Sequence, residues 1–335
     1  MKTKVAVTTL ITLLALAPVV ATGSPPLYIV TELKGPGGAS AYAEGINNLG
    51  HVVGGSQQHA ILWRDGLTID LGQYQTRSTA ARDINEQGQI CGTYYDGYLY
   101  GCYWDGQWSA IGAGNGYATA INNQGVVAGF GADEAYVWSP SAGLTRLGTM
   151  GYQGSYVGGI NNIGQVVGWT SSGATSFIWD AGVMQEITGT EIDFANDIND
   201  VGMIVGRCSS YDHGYMTDGL GNDTWLYMEN PEAINIHNQV VGWTEFAYPT
   251  GERARLWIDG AGHNLEDLIV NESGWVLRRA MDINDSGQIV GSGWNPAGDS
   301  VGFLLTIVPE PTTLALFGAA GGIVLKRRRR QEPKG

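Results

Sequence analysis

Seven copies of one short phrase constrain this chain more than any other feature. The phrase reads Ile-Asn, two variable residues, Gly, one variable residue, two apolar residues and a closing Gly. It begins at Ile46, Ile84, Ile121, Ile160, Ile198, Ile234 and Ile283, at spacings of 38, 37, 39, 38, 36 and 49 residues. That period belongs to propeller blades and related repeat arrays. Such a chain specifies a scaffold and a surface before it specifies any chemistry.

Each repeat reads as four short strands. The first ends at the Ile, as in residues 118–121, and the turn Asn122-Asn123-Gln124-Gly125 leads into a second strand over residues 126–129. An Asn side chain can bond backbone two residues on and so start the turn. The Gly at the fourth place after the Ile falls where a short hairpin needs positive φ. Repeat six has Asn238 there, the non-Gly residue that best tolerates that region. A third strand is aromatic and often ends in Trp, at Trp63, Trp104, Trp138, Trp179 and Trp257, and the fourth closes on pairs such as Leu71-Gly72, Ile111-Gly112 and Leu147-Gly148. Four strands in roughly 38 residues match a β-propeller blade.

The two ends of the array predict a closed ring. Repeat seven has first, second and third strands but no fourth before the tail, while residues 27–33 precede the first phrase without partners of their own. Setting that N-terminal strand into the last blade completes both and removes open edges. The expected fold is all-β: a seven-bladed propeller of four-stranded blades, closed by the N-terminal strand. An open β-solenoid is the alternative. The 51 Gly, 11 Trp and 16 Tyr with only 15% charged residues agree, and such a domain grows by repetition because apolar faces are buried between neighbours.

The termini read as addresses. Residues 1–23 carry Lys2 and Lys4, an apolar run over 5–20 and small residues at Ala21 and Gly23, the pattern of a secretory signal peptide. Residues 24–308 are the repeat domain. The tail, 309–335, opens with Pro309, Glu310 and Pro311, continues through an apolar run at 314–325 and ends in five basic residues at 326–330. The run is shorter than the roughly 18–20 residues that span a bilayer unaided, and the basic cluster holds its end on the cytoplasmic side. This tail resembles the PEP-CTERM sorting signal of bacterial exosortase systems. The resemblance implies membrane anchoring, processing by an exosortase-type enzyme, and delivery to the cell surface or medium. The repeats, with His59-Ala60-Ile61-Leu62-Trp63 after Asn47-Asn48-Leu49-Gly50, resemble the HAF family of extracellular repeats over nearly all of 27–307. The His recurs in no other repeat. This resemblance implies export and carries no activity or site residues.

Between residues 24 and 325 there are 10 basic against 31 acidic residues, a net charge of −21. Nucleic acid is excluded as a partner, because phosphate needs neutralising cations. Neutral or cation-rich glycans and surface proteins remain. Cys91 and Cys102 fall on neighbouring strands of blade two, where an oxidising compartment could bridge them if geometry permits. Cys208 is left over and reads as a quiet structural residue.

Candidate chemistry is sparse. Asp-Ile-Asn-Asp/Glu-x-Gly at 83–88, 197–202 and 282–287 echoes the start of a calcium loop, but the twelfth positions are Tyr94, Cys208 and Gly293 where a bidentate Glu is required. The turn already explains Asn and Gly. The five histidines have no metal-ligand spacing. Gly298-Asp299-Ser300-Val301-Gly302 spells a nucleophile elbow without the strand–turn–helix context it needs. No metal, cofactor or catalytic residue is assigned. The recurrent Trp residues read as inter-blade core rather than sugar platforms. Aromatics that break the pattern are better candidates for a binding face: Tyr94, Tyr95, Tyr98 and Tyr100 in blade two, and Trp169, Trp243 and Trp294 just past a closing Gly. The expected function is a non-catalytic, exported binding or structural scaffold. The alternative is a secreted glycan hydrolase or lyase, which needs only two carboxylates across a cleft.

Overall fold

The computed structural model describes residues 24–171, 175–210, 213–246 and 251–309. The signal-peptide segment, Glu310, Pro311 and the rest of the tail lie outside these residues. Seven blades follow one another around a ring, and the strand Tyr28–Leu33 pairs antiparallel with Ser300–Ile307, from Tyr28 opposite Ile307 to Leu33 opposite Gly302. The N-terminal strand is thus the outer strand of the last blade.

Five blades are separate four-stranded sheets. Blades two and three instead share one seven-stranded sheet, because the fourth strand of one and the first of the next are a single strand, Trp108–Ile121. No loop intervenes; Gly112, Gly114 and Gly116 take positive φ along the strand and let the chain change blades without leaving the ladder.

The repeated phrase has a physical reason at every place. Its two apolar residues point to opposite sides of the second strand, and each joins a different buried cluster. Val52 packs at the junction of blades seven and one, Val53 at the junction of one and two. Ile90 and Cys91 continue the series, as do Val127 and Ala128. Seven such clusters fill the seven junctions. The closing Gly faces a bulge in the first strand. A Cβ on Gly168 would lie 2.0 Å from the Tyr156 carbonyl oxygen, and one on Gly54 1.9 Å from that of Tyr42. The turn Gly is left-handed, with φ of 72° at Gly125, and Asn238 matches it at 60°.

The same alternation corrects the disulfide expectation. Cys91 is paired with Tyr103 and Gly92 with Cys102, so the two cysteine side chains leave opposite faces of the sheet. All three cysteines are free and buried.

Candidate functional site

The phrase Asn residues line up at one end of the central channel. Each buried side chain donates its Nδ2 to the backbone carbonyl of the next Asn: Asn47 to Asn85, Asn85 to Asn122, Asn122 to Asn161, and so on to Asn284, which returns to Asn47. The seven bonds, 2.9–3.2 Å, form a closed ring. Each Oδ1 meanwhile accepts from its own turn, as Asn47 does from Leu49 N and His51 N. A second ring runs through the next residue: the N–H groups of Asn48, Glu86, Asn123, Asn162, Ile236 and Asp285 each donate to the side chain one blade on.

One residue before each phrase Ile lies a third level, occupied in turn by Gly45, Asp83, Ala120, Gly159, Asp197, Ala233 and Asp282. No two acids sit in adjacent blades. The Asp282 carboxylate accepts from Ile283 N and, across the closure seam, from Ile46 N, both at 2.7 Å. Asp83 likewise ties Ile84 to Ile121, and Asp197 ties Ile198 to Ile234. The calcium-like phrase therefore spends its Asp on backbone donors of two blades. These carboxyls touch the narrow channel yet lie deep within it. Burial pushes Asp83 up to about 6 and Asp197 up to about 7 against the backbone donors, and burial together with Asp83 and Asp197 raises Asp282 well above the usual range. The cavity at this end holds about 190 Å³. Among the described residues no three His, Cys, Asp or Glu side chains are grouped to hold a metal ion.

The other mouth of the channel is aromatic. The residue four before each phrase Ile pairs with the residue after the closing Gly: Tyr117 with Phe130, Tyr156 with Trp169, Phe194 with Arg207. Across blades the rings continue, Phe130 to Tyr156 at 4.9 Å and Trp169 to Phe194 at 5.9 Å. Five rings in three blades thus form one arc. Guanidinium groups cap it at both ends, Arg82 over Tyr117 at 5.2 Å and Arg207 over Phe194 at 4.8 Å. Facing groups from the remaining blades are charged. Arg279 lies 4.5 Å over Trp243, whose Nε1 donates to Glu232 at 2.8 Å. Glu44 pairs with Arg82 at 3.6 Å. Burial raises both Glu44 and Glu232, with Arg82 opposing the first and the Trp243 donor opposing the second. Flat ring faces with alternating cations and carboxylates suit a ligand with apolar faces and hydroxyl edges.

The candidate aromatics separate into three places. Trp169 belongs to the arc and Trp243 to the charged side of the same mouth. Trp294 is 42% exposed under Arg278 at 5.0 Å. The tyrosines form their own group on the blade-two hairpin: Tyr94 stacks on Tyr100 at 5.4 Å and meets Tyr74 in a tilted contact at 4.6 Å, while Tyr95 and Tyr98 are exposed beside the turn Asp96-Gly97. Of the recurrent Trp residues, Trp63 and Trp257 are buried, and Trp104, Trp138 and Trp179 pack against junction clusters. Tyr117, Phe130, Tyr156, Phe194 and the arginines were not singled out by sequence reasoning. Their signal is the cross-strand pairing of two offsets from the phrase, readable only once the hairpin register is set.

Residues 308–330 match the PEP-CTERM protein-sorting motif. The motif implies export, membrane anchoring by the C-terminus, processing by an exosortase and sorting to the surface. Among the described residues no helix is long and apolar enough to cross a membrane, and the apolar run at 314–325 lies outside them. No curated protein matches the chain. Among solved structures it is similar to YCF48 bound to a D1 peptide, at 14% identity and a TM-score of 0.56, covering 84% of this chain and 97% of that one. It is also similar to the β-propeller domain of the Trilobed protease from Pyrococcus furiosus, described as having an open velcro topology, at 11% identity and a TM-score of 0.53, covering 79% and 93%. Both likenesses are of fold.

Proposed function

We propose that the chain is an exported, non-enzymatic scaffold of the HAF repeat type that holds an extracellular polysaccharide at the aromatic mouth of its channel. The carrying observation is the five-ring arc capped by Arg82 and Arg207. Sugar rings stack on such faces, and Glu44, Glu232 and Arg279 supply acceptors and donors for hydroxyls. Residues 24–308 form the binding domain, and the tail serves delivery. The YCF48 likeness, a propeller holding a peptide, is a reason to include peptides in any screen.

A glycan-array screen of the purified domain tests this. Trp169→Ala and Tyr156→Ala are each expected to lower affinity for the best polysaccharide by about 0.5–1.5 kcal/mol per lost stacking ring, about 5- to 150-fold for the pair of substitutions. Binding of peptides alone, or sugar binding untouched by both substitutions, would remove the proposal. A glycan-active enzyme is favoured by one observation, the three deep carboxyls of raised pKa. Chain shortening of the bound polysaccharide, abolished by Asp197→Asn, would establish that reading instead.

A further inference from the structure

The place where the chain leaves the ring carries information about how the domain stands on a membrane. Third strands end at the Asn-ring face, and Ser300–Ile307 follows the rule: Leu305 pairs with Ile289, and Ile307 reaches on toward Gly287 in the blade-seven turn. Leu27 lies there too, since Val308 N donates to Leu27 O at 2.8 Å. Both described chain ends therefore emerge side by side from the Asn-ring face. The aromatic mouth is at the opposite end of every blade.

We infer that, while the sorting tail is in the membrane, the Asn-ring face is turned to the lipid surface and the aromatic mouth is held away from it. This rests on the sorting motif and not on what the mouth binds. Two lengths decide it. From Val308 to Leu314, where the apolar run begins, is six residue steps, about 20 Å fully extended. The eight-residue strand Ser300–Ile307 gives the blade a depth of about 25 Å. With the mouth turned down, Val308 would stand a full blade depth above the bilayer, beyond the reach of its tether even before the chain cleared the blade edge. With the Asn-ring face down, the tether is ample.

The two faces also differ in their exposed apolar side chains. The Asn-ring face shows aliphatics, with Leu49, Ile163, Val201 and Leu220 at 62–84% exposure. The mouth side shows aromatics, among them Tyr95, Tyr98, Phe246 and Trp294. Glu86, Asp200 and Asp285 stand on the same face as the aliphatics and are repelled by anionic headgroups, so the tether rather than adhesion sets the orientation. The mouth is then presented outward, to whatever polymer surrounds the cell.

Energy transfer to a labelled membrane tests this on the full-length chain. The native thiols are all buried, so a fluorophore can be placed on Ile163→Cys or Tyr98→Cys, positions of nearly equal exposure (67% and 65%) on opposite faces. The proteins are reconstituted in phosphatidylethanolamine–phosphatidylglycerol vesicles carrying a rhodamine lipid, and Val201→Cys and Tyr95→Cys serve as a second pair. Transfer from the Asn-ring face is expected to exceed that from the mouth by roughly twofold or more, since the label planes differ by about a blade depth of 25 Å. Equal transfer from both faces, or stronger transfer from the mouth, would overturn the orientation. Flotation reads anchoring separately: a full-length chain that does not float with the vesicles removes the premise, and the inference with it.

Discussion

At the scale of the residue, the phrase Asn does more than start a turn. Its Oδ1 serves the turn, and its Nδ2 serves the neighbouring blade, so one buried side chain couples local and long-range structure. That double use explains why Asn recurs where Asp or Ser could also start a turn: ionised Asp has no donor and Ser carries donor and acceptor on one atom, whereas the amide puts them on two atoms that reach the turn and the next blade at once. The turn and its left-handed Gly were legible, because they depend on neighbours in sequence. The ring bonds were not, since six of the partners lie 36–49 residues away and the closing one, Asn284 to Asn47, 237. The second ring has a single gap. Asp200 meets Ile236 in blade six, which offers no acceptor to the Asp200 N–H. Ile236→Asn is therefore expected to stabilise the domain by about 0.5–1.5 kcal/mol, the net value of one hydrogen bond, read as a higher urea midpoint at unchanged m. A lower midpoint would mean that the apolar contacts of Ile236 outweigh the missing bond.

At the scale of the element, strand order followed from counting: a repeat lacking its fourth strand and an orphan strand at the far end complete each other. Two features escaped that logic. The fusion of blades two and three depends on three glycines holding one ladder together, and composition cannot distinguish them from a loop. The sidedness of Cys91 and Cys102 depends on register by a single residue, which moves a side chain to the other face. The closing strand is tied in by more than its ladder. Tyr28, Val30 and Leu33 fill junction clusters on either side of blade seven, and Asn271 holds Val30 through both its N–H and its carbonyl. Deleting residues 24–34 is expected to lower the melting temperature by more than 10 °C and to expose the edge Ser300–Ile307, giving aggregation on heating. A deletion variant that melts with the intact domain and stays monomeric would show that the seam is held by the Asn and Asp bonds alone.

At the scale of the whole molecule, the channel is graded from amide to carboxyl to aromatic, and the middle level makes the ring sensitive to pH. The groups facing one another there are Asp83, Asp197 and Asp282, with Glu44, Arg82, Glu232 and Arg279 on the mouth side. Unfolded carboxyls titrate near 3.9 for Asp, whereas the folded ring holds Asp83 at about 6 and Asp197 at about 7. Between those limits the native state binds more protons than the unfolded one, so stability falls as pH rises and is recovered on acidification. Each group can contribute at most about 1.4 kcal/mol per pH unit in that window. The melting temperature of the domain is expected to rise as pH is lowered from 8 to 5.5. Asp197→Asn replaces the titrating carboxyl with a neutral group close in shape to its protonated form, so it costs least at acid pH, and by removing one titration it must flatten the slope. A melting temperature that falls over the same interval, or a variant with the parent's slope, would show that the three carboxyls do not carry the pH response of the ring.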